Sequence, residues 1–161
     1  MTIKVGEKIP DATFFYMSED GPAKMTTGQL CDGKKVVLFG VPGAFTPTCH
    51  ANHLPGFLDN LDALKDKGVD EVAVTSVNDI HVINAWSEAT KGGGKIHYLS
   101  DGNGDFAKAI GMDMDMSMGG MGVRSKRYSM IIDDGVVSVL NIEDMPGKAE
   151  QTSAANILAA L

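Results

Sequence analysis

A chain of 161 residues is about one domain's worth, and 43% hydrophobic with 22% charged residues excludes a disordered, collagen-like or low-complexity polymer. The net charge of −7 argues against a nucleic-acid partner, because the densest basic segment, Arg124-Ser-Lys126-Arg127, carries only three charges and runs into an apolar stretch. The longest apolar-rich run, Val36 to Phe45, falls well short of the ~20 residues that span a bilayer, so no membrane association is expected.

The start of the chain, Met1 to Glu7, has neither the basic nor the apolar region of a secretory signal, and Cys31 and Cys49 are the only cysteines. A cytoplasmic protein with free thiols is the expectation. Lys34 to Val41 is a short apolar run without alternation, which suits a strand buried on both faces. From Pro47 to about Lys67, Ala51, Leu54, Phe57, Leu58, Leu61 and Leu64 recur at helical spacing, and Gly68 stands where a helix ends. Pro55 interrupts that helix and predicts a kink near residues 51 to 55.

A second buried strand is expected over Glu71 to Val77, then a helix capped by Asn78 or Asp79, running to about Lys91 and stopped by Gly92-Gly-Gly94. Ile96 to Leu99 reads as a third strand and Gly104 to Ile110 as a short helix ended by Gly111. Tyr128 to Ile132 and Val136 to Ile142, joined by Asp133-Asp134-Gly135, form a hairpin, and Ser153 to Leu161 is a last helix. No linker, charge block or repeat divides the chain, so residues 1 to 161 are expected to form one domain. The element order predicts an α/β, thioredoxin-like fold, a central mixed β-sheet flanked by helices.

The segment Val41-Pro42-Gly-Ala-Phe-Thr46-Pro47-Thr-Cys49-His50 lies where a buried strand ends and a helix begins, the usual crevice for ligands in open α/β sheets. With Thr46 at the N-cap and Pro47 at N1, Cys49 falls at N3, beside unpaired N–H groups and the positive end of the helix dipole. That setting favours the reactive thiolate. The bland alternative is a small buried hydrophobe.

Pro42-x-x-x-Thr46-x-x-Cys49, the longer string around it and His53-Leu-Pro-Gly-Phe57 resemble the active-site signature of the peroxiredoxin family, in its type-II branch. The likeness continues through Val77-Asn-Asp79, Ala85-Trp86 and Ser100-Asp101 to Arg124-Ser-Lys-Arg127-Tyr-Ser-Met-Ile-Ile-Asp-Asp-Gly135, nearly the whole chain. The resemblance implies that Cys49 is the peroxidatic cysteine and that the Thr46 hydroxyl contacts sulfur and peroxide. It further implies that Pro42 shields the pocket from water, that Arg127 polarises the peroxide and stabilises the thiolate, and that the protein is a homodimer. Preorganised donors such as a guanidinium suit a reaction in which charge develops on a leaving oxygen.

The neighbouring signals are weaker. Cys49-His50-x-x-His53 imitates a metal site, but adjacent helical residues point in different directions, so no metal is expected and His50 is read as solvent-facing. Asp101-Gly-Asn-Gly-Asp105 begins like a calcium loop, yet Phe106 and Met112 stand where glycine and the closing glutamate belong, so it is read as a turn and helix start. Met112 to Met121 holds five of the ten methionines and is read as an adaptable apolar loop beside the peroxide site, with copper(I) carriage as the alternative.

Some type-II members carry a resolving cysteine near the C-terminal helix, but Ala149 to Asn156 has none, and neither does Thr75-Ser-Val77. Cys31 lies before the strand that leads to Cys49. Residues 31 to 42 can span up to ~36 Å at ~3.3 Å per residue, whereas a disulfide needs Cα atoms within ~7 Å. Direct pairing of the two is not expected. The expected function is therefore a thiol peroxidase with a one-cysteine cycle, using a hydroperoxide and a thiol reductant, glutathione with glutaredoxin rather than thioredoxin, and no cofactor. The alternative is a redox sensor that forms mixed disulfides through Cys49.

Overall fold

The computed structural model describes residues 1–145 and 147–161. Strands β1 (Thr13–Ser18) and β2 (Gly21–Thr26) form an antiparallel hairpin. Thr26 then caps helix α1 (Thr27–Cys31), its hydroxyl accepting the Gln29 N–H while the Gln29 side chain accepts the Thr26 N–H. Strand β3 (Lys35–Gly40) follows and is buried from Val36 onward. A helical segment from Pro47 leads through α2 (Leu54–Asp59) to α3 (Leu61–Asp66), and Gly68 takes a left-handed φ just beyond it.

Strand β4 (Glu71–Ser76) precedes α4 (Ile80–Thr90), where the Asp79 carboxylate accepts the N–H groups of His81 and Val82. Lys91, not Gly92, adopts the left-handed conformation that ends α4. Then come β5 (His97–Ser100), α5 (Asp105–Ala109), β6 (Asp113–Asp115), β7 (Val123–Ser125), β8 (Tyr128–Asp133), β9 (Val136–Ile142) and α6 (Ala154–Ala160). In the β8–β9 turn Asp134 and Gly135 both have positive φ, as a two-residue hairpin of the right twist requires.

The sheet order is β2-β1-β5-β4-β3-β8-β9, with β3, β4 and β5 parallel at the centre and the other pairings antiparallel. Helices cover both faces, which is the expected α/β, thioredoxin-like architecture. Val37, Phe39 and Val41 face one core with Leu54 and Phe57 of α2, Trp86 of α4 and Ile157 of α6. Val36 and Leu38 face the other with Leu30 and Cys31 of α1 and Phe106 of α5. Cys49 belongs to the first core and Cys31 to the second, so the sheet lies between the two thiols.

Two expectations change and one holds. The helix from Pro47 does not merely kink: Cys49–His53 is a π-helical turn, in which the Leu54 N–H bonds the Cys49 carbonyl five residues back. Pro55, without an N–H to return to the turn before it, stands in the first turn of α2. The methionine segment is not a plain loop but an antiparallel β6–β7 pair with Met114 opposite Arg124. Asp101 is a helix start as read: its two carboxylate oxygens accept the N–H groups of Phe106 and Ala107.

Candidate active site

Strand β3 delivers the chain to residues 41–46, which hydrogen bonds tie to the end of β4. The Val41 N–H donates to Thr75 O at 3.1 Å, and the Ala44 N–H donates to Asn78 Oδ1 at 2.9 Å. Ser76 Oγ donates to the same Oδ1 and Ser100 Oγ to the Asn78 carbonyl, so Asn78 is itself held at both ends. Phe45 has φ 64°, a left-handed conformation costly for a bulky residue, and its exposed ring stacks on His50 at 5.5 Å.

Thr46 precedes the helix, and the His50 N–H donates to its carbonyl at 2.9 Å, so Cys49 falls in the first turn as counted. The Thr46 hydroxyl differs from the expected cap. It turns back and donates to Gly43 O at 2.7 Å, which fixes its proton and leaves the oxygen lone pairs as acceptors. Gly43 is crowded: a Cβ there would lie 2.9 Å from Arg124 Nη1 and 3.1 Å from Thr46 Cγ2. Arg124 spans the loop, donating from Nη1 to Pro42 O at 3.3 Å and from Nε to Met121 O at 2.9 Å. The β6–β7 hairpin is thereby fastened to Pro42, and Pro42 itself is buried.

Cys49 is fully buried and is a free thiol. Arg127, immediately before β8 and only 2% exposed, donates from Nη2 to Cys49 Sγ at 2.9 Å. A permanent positive charge thus rests on the sulfur. The same guanidinium donates from Nη1 to His53 Nδ1 at 2.9 Å. Because arginine offers only donors, Nδ1 must accept, and the ring proton sits on Nε2, which donates to Thr152 O at 3.0 Å. Burial first, then the Arg127 charge, lowers the His53 pKa to about 3, against weaker upward pulls from Thr152 and Glu143. His53 is therefore a neutral acceptor for Arg127 at neutral pH. Its ring packs against Phe39 at 5.1 Å and Phe57 at 5.5 Å.

A buried cysteine sulfur under a buried guanidinium, at a strand-to-helix crossover, is a site built for a nucleophilic thiolate. The sequence pattern of the Redoxin family matches residues 4–158. Over 159 residues the chain is 50% identical to "Peroxiredoxin-2E-2, chloroplastic" of Oryza sativa subsp. japonica, covering 96% of this chain and 70% of that protein. The chain belongs to the peroxiredoxin family. The crystal structure of reduced Prx3 from Vibrio vulnificus in complex with hydrogen peroxide superposes with a TM-score of 0.93 at 48% identity, over 99% of each chain. The Plasmodium falciparum antioxidant protein (1-Cys peroxiredoxin) does so with a TM-score of 0.87 at 27% identity, over 96% of each chain. As a peroxiredoxin the protein is an oxidoreductase, a thiol-dependent peroxidase whose substrates are a peroxide and a thiol reductant.

The peroxiredoxin site brings Cys49 and Arg127 into direct contact, with Thr46 one helical turn before the sulfur and Pro42 buried at the start of the loop. Two histidines sit differently from the sequence reading. His50 is not simply solvent-facing: its Nδ1 accepts Trp86 Nε1–H at 3.1 Å, beneath the Phe45 ring. His53, weighed only as a metal ligand, is a hydrogen-bond partner of Arg127. The available signal was its spacing, since Cys49 and His53 stand four apart and share a helical face. Among the described residues no group of histidine, cysteine or carboxylate side chains is disposed to hold a metal, and no helix is long and apolar enough to cross a membrane.

Proposed function

We propose that this peroxiredoxin reduces hydroperoxides through Cys49 in a one-cysteine cycle, with Thr46, Arg127 and Pro42 completing the catalytic set. The Cys49 thiolate attacks the terminal peroxide oxygen; an S–O bond forms, the O–O bond breaks, and the departing alkoxide or hydroxide takes up a proton to leave as alcohol or water. Sulfur loses two electrons and the peroxide gains them. The observation that carries the reading is the 2.9 Å contact from Arg127 Nη2 to Cys49 Sγ, a fixed donor where sulfur attacks and oxygen charge develops.

The sulfenic acid then condenses with an external thiol, releasing water, and a second thiol frees Cys49 and carries away the disulfide. Glutathione with glutaredoxin is the proposed reductant. In support, Cys31 lies across the sheet from Cys49, and burial, then the Asp32 charge, pushes its thiol up to about 11 despite Lys34, a poor nucleophile at neutral pH. The 1-Cys description attached to the Plasmodium protein agrees with this cycle. The two free thiols suit a reducing compartment, the cytoplasm. Exposed Phe45, Met118 and Val123, on the active-site loop and the β6–β7 hairpin, suit a homodimer, each copy one domain over residues 1–161.

The redox-sensor alternative would use the same buried sulfur and has no separate observation in its favour. The test is peroxide consumption by pure protein with glutathione and glutaredoxin, or with thioredoxin. Sustained turnover with the first pair is expected. Turnover with thioredoxin alone would overturn the reductant assignment, and a single turnover with every reductant would favour the sensor.

A further inference from the structure

The fork of Arg127 is held by His53, and His53 is held by a part of the chain with no evident role in the chemistry. Its Nε2–H ends on the carbonyl of Thr152, in the segment that leads into α6. That segment is gathered by one carboxylate. Glu143 Oε2 accepts the Thr152 N–H at 2.9 Å and the Thr152 hydroxyl at 2.8 Å, while Oε1 accepts the N–H groups of Gln151 at 3.1 Å and Glu150 at 3.3 Å. Glu143 is 8% exposed and lies beside Arg127, its own N–H donating to the Arg127 carbonyl at 3.0 Å. Burial pushes its carboxyl up, but the donors from Thr152, Gln151 and Glu150 outweigh that and hold it below the ordinary value, as an anion.

We propose that Glu143 is a positioning residue for the peroxidase reaction, acting through Thr152 and His53 to fix the Arg127 guanidinium against Cys49. The proposal rests on Cys49 and Arg127 doing the chemistry. Each link constrains the next. Arg127 can only donate, so His53 Nδ1 must accept; the ring proton then sits on Nε2 and needs an acceptor at one place, the Thr152 carbonyl. That carbonyl stays there because both hydrogen-bonding groups of Thr152 on its far side point into one carboxylate. Without the carboxylate, four donors lose their common acceptor, residues 150–152 are released, and His53 and the fork are free to turn.

Glu143→Ala tests the chain of contacts, with Glu143→Gln as the conservative variant that keeps one carbonyl acceptor. Asp144→Ala is the control that removes a neighbouring charge whose carboxylate accepts from the Gln151 side chain at 3.4 Å. The readouts are the rate of Cys49 oxidation by peroxide, the rate at which glutathione reduces the sulfenic acid, and the ring 15N shifts of His53.

In the unaltered protein the shifts are expected to report the Nε2–H tautomer. Glu143→Ala is expected to slow oxidation about 10- to 100-fold, the scale on which misplaced catalytic groups act. It should disturb the His53 shifts and leave the glutathione step unchanged, Glu143→Gln should recover part of the rate, and Asp144→Ala should match the unaltered protein. A folded Glu143→Ala protein that loses melting temperature but oxidises within twofold of normal would overturn the proposal, as would an Nδ1–H tautomer in the unaltered protein. If Glu143→Ala does not fold, unaltered oxidation and His53 shifts in Glu143→Gln overturn it instead. Should Cys49→Ser still consume peroxide, the catalytic reading fails, while the His53 tautomer still reports the contacts.

Discussion

At the residue scale, Cys49 and His53, four apart on one turn, meet Arg127, which stands 78 and 74 positions further along the chain. Removing the sulfur nucleophile, Cys49→Ser, is expected to abolish turnover, while Cys31→Ser keeps most of it. Initial rates with glutathione and glutaredoxin check this, and a dead Cys31 variant would reverse the assignment. Arg127→Gln removes a charge-assisted donor worth ~1.5–3 kcal/mol, roughly 10- to 150-fold in the rate of peroxide attack if felt in the transition state. Stopped-flow oxidation of the folded variant at an unchanged rate would take Arg127 out of the chemistry. The contiguous stretch from Pro42 to Cys49 is legible as a place for chemistry because one strand end and one helix start frame it. His53 was not, because its role depends on a guanidinium that the sheet brings from β8.

At the element scale, β3 and β8 run so close that the Tyr128 ring occupies the space where a Cβ of Gly40 would stand. Gly40→Ala therefore overpacks the core and is expected to destabilise by ~1–3 kcal/mol. A urea midpoint equal to that of the unaltered protein would contradict the close approach. Strands β3, β4, β8 and β9 are legible in the sequence because burial on both faces makes continuous apolar runs, or because Asp-Gly marks the turn. The N-terminal hairpin is not: β2 is an edge strand with Pro22 in it and half its residues exposed, so it has no apolar signature. The β6 strand had a signal that composition masked, since Met112-Asp-Met-Asp-Met116 alternates with period two. The π-turn is the element that no periodicity announces, although Pro55 marks where it must end.

At the scale of the whole molecule, His53 couples the site to global stability. Its pKa is about 3 when folded and near ~6.5 when unfolded, so between those values the unfolded chain binds a proton that the folded chain does not. Stability from this group is full above pH ~6.5 and is lost as pH falls toward 3, by up to ~1.4 kcal/mol per pH unit. Thermal unfolding between pH 7 and pH 5 is expected to fall more steeply in the unaltered protein than in His53→Gln. Parallel curves would mean that His53 is not held neutral by the fold.

The two thiols lie in different cores on opposite faces of one sheet, and the one-cysteine cycle depends on that separation. Mass spectrometry after one equivalent of peroxide, with and without glutathione, tests it most directly. A single added oxygen on Cys49 of the monomer is expected, converting to a glutathione mixed disulfide when glutathione is present. A stoichiometric Cys31–Cys49 disulfide, within or between chains, would contradict it and make Cys31 the resolving thiol.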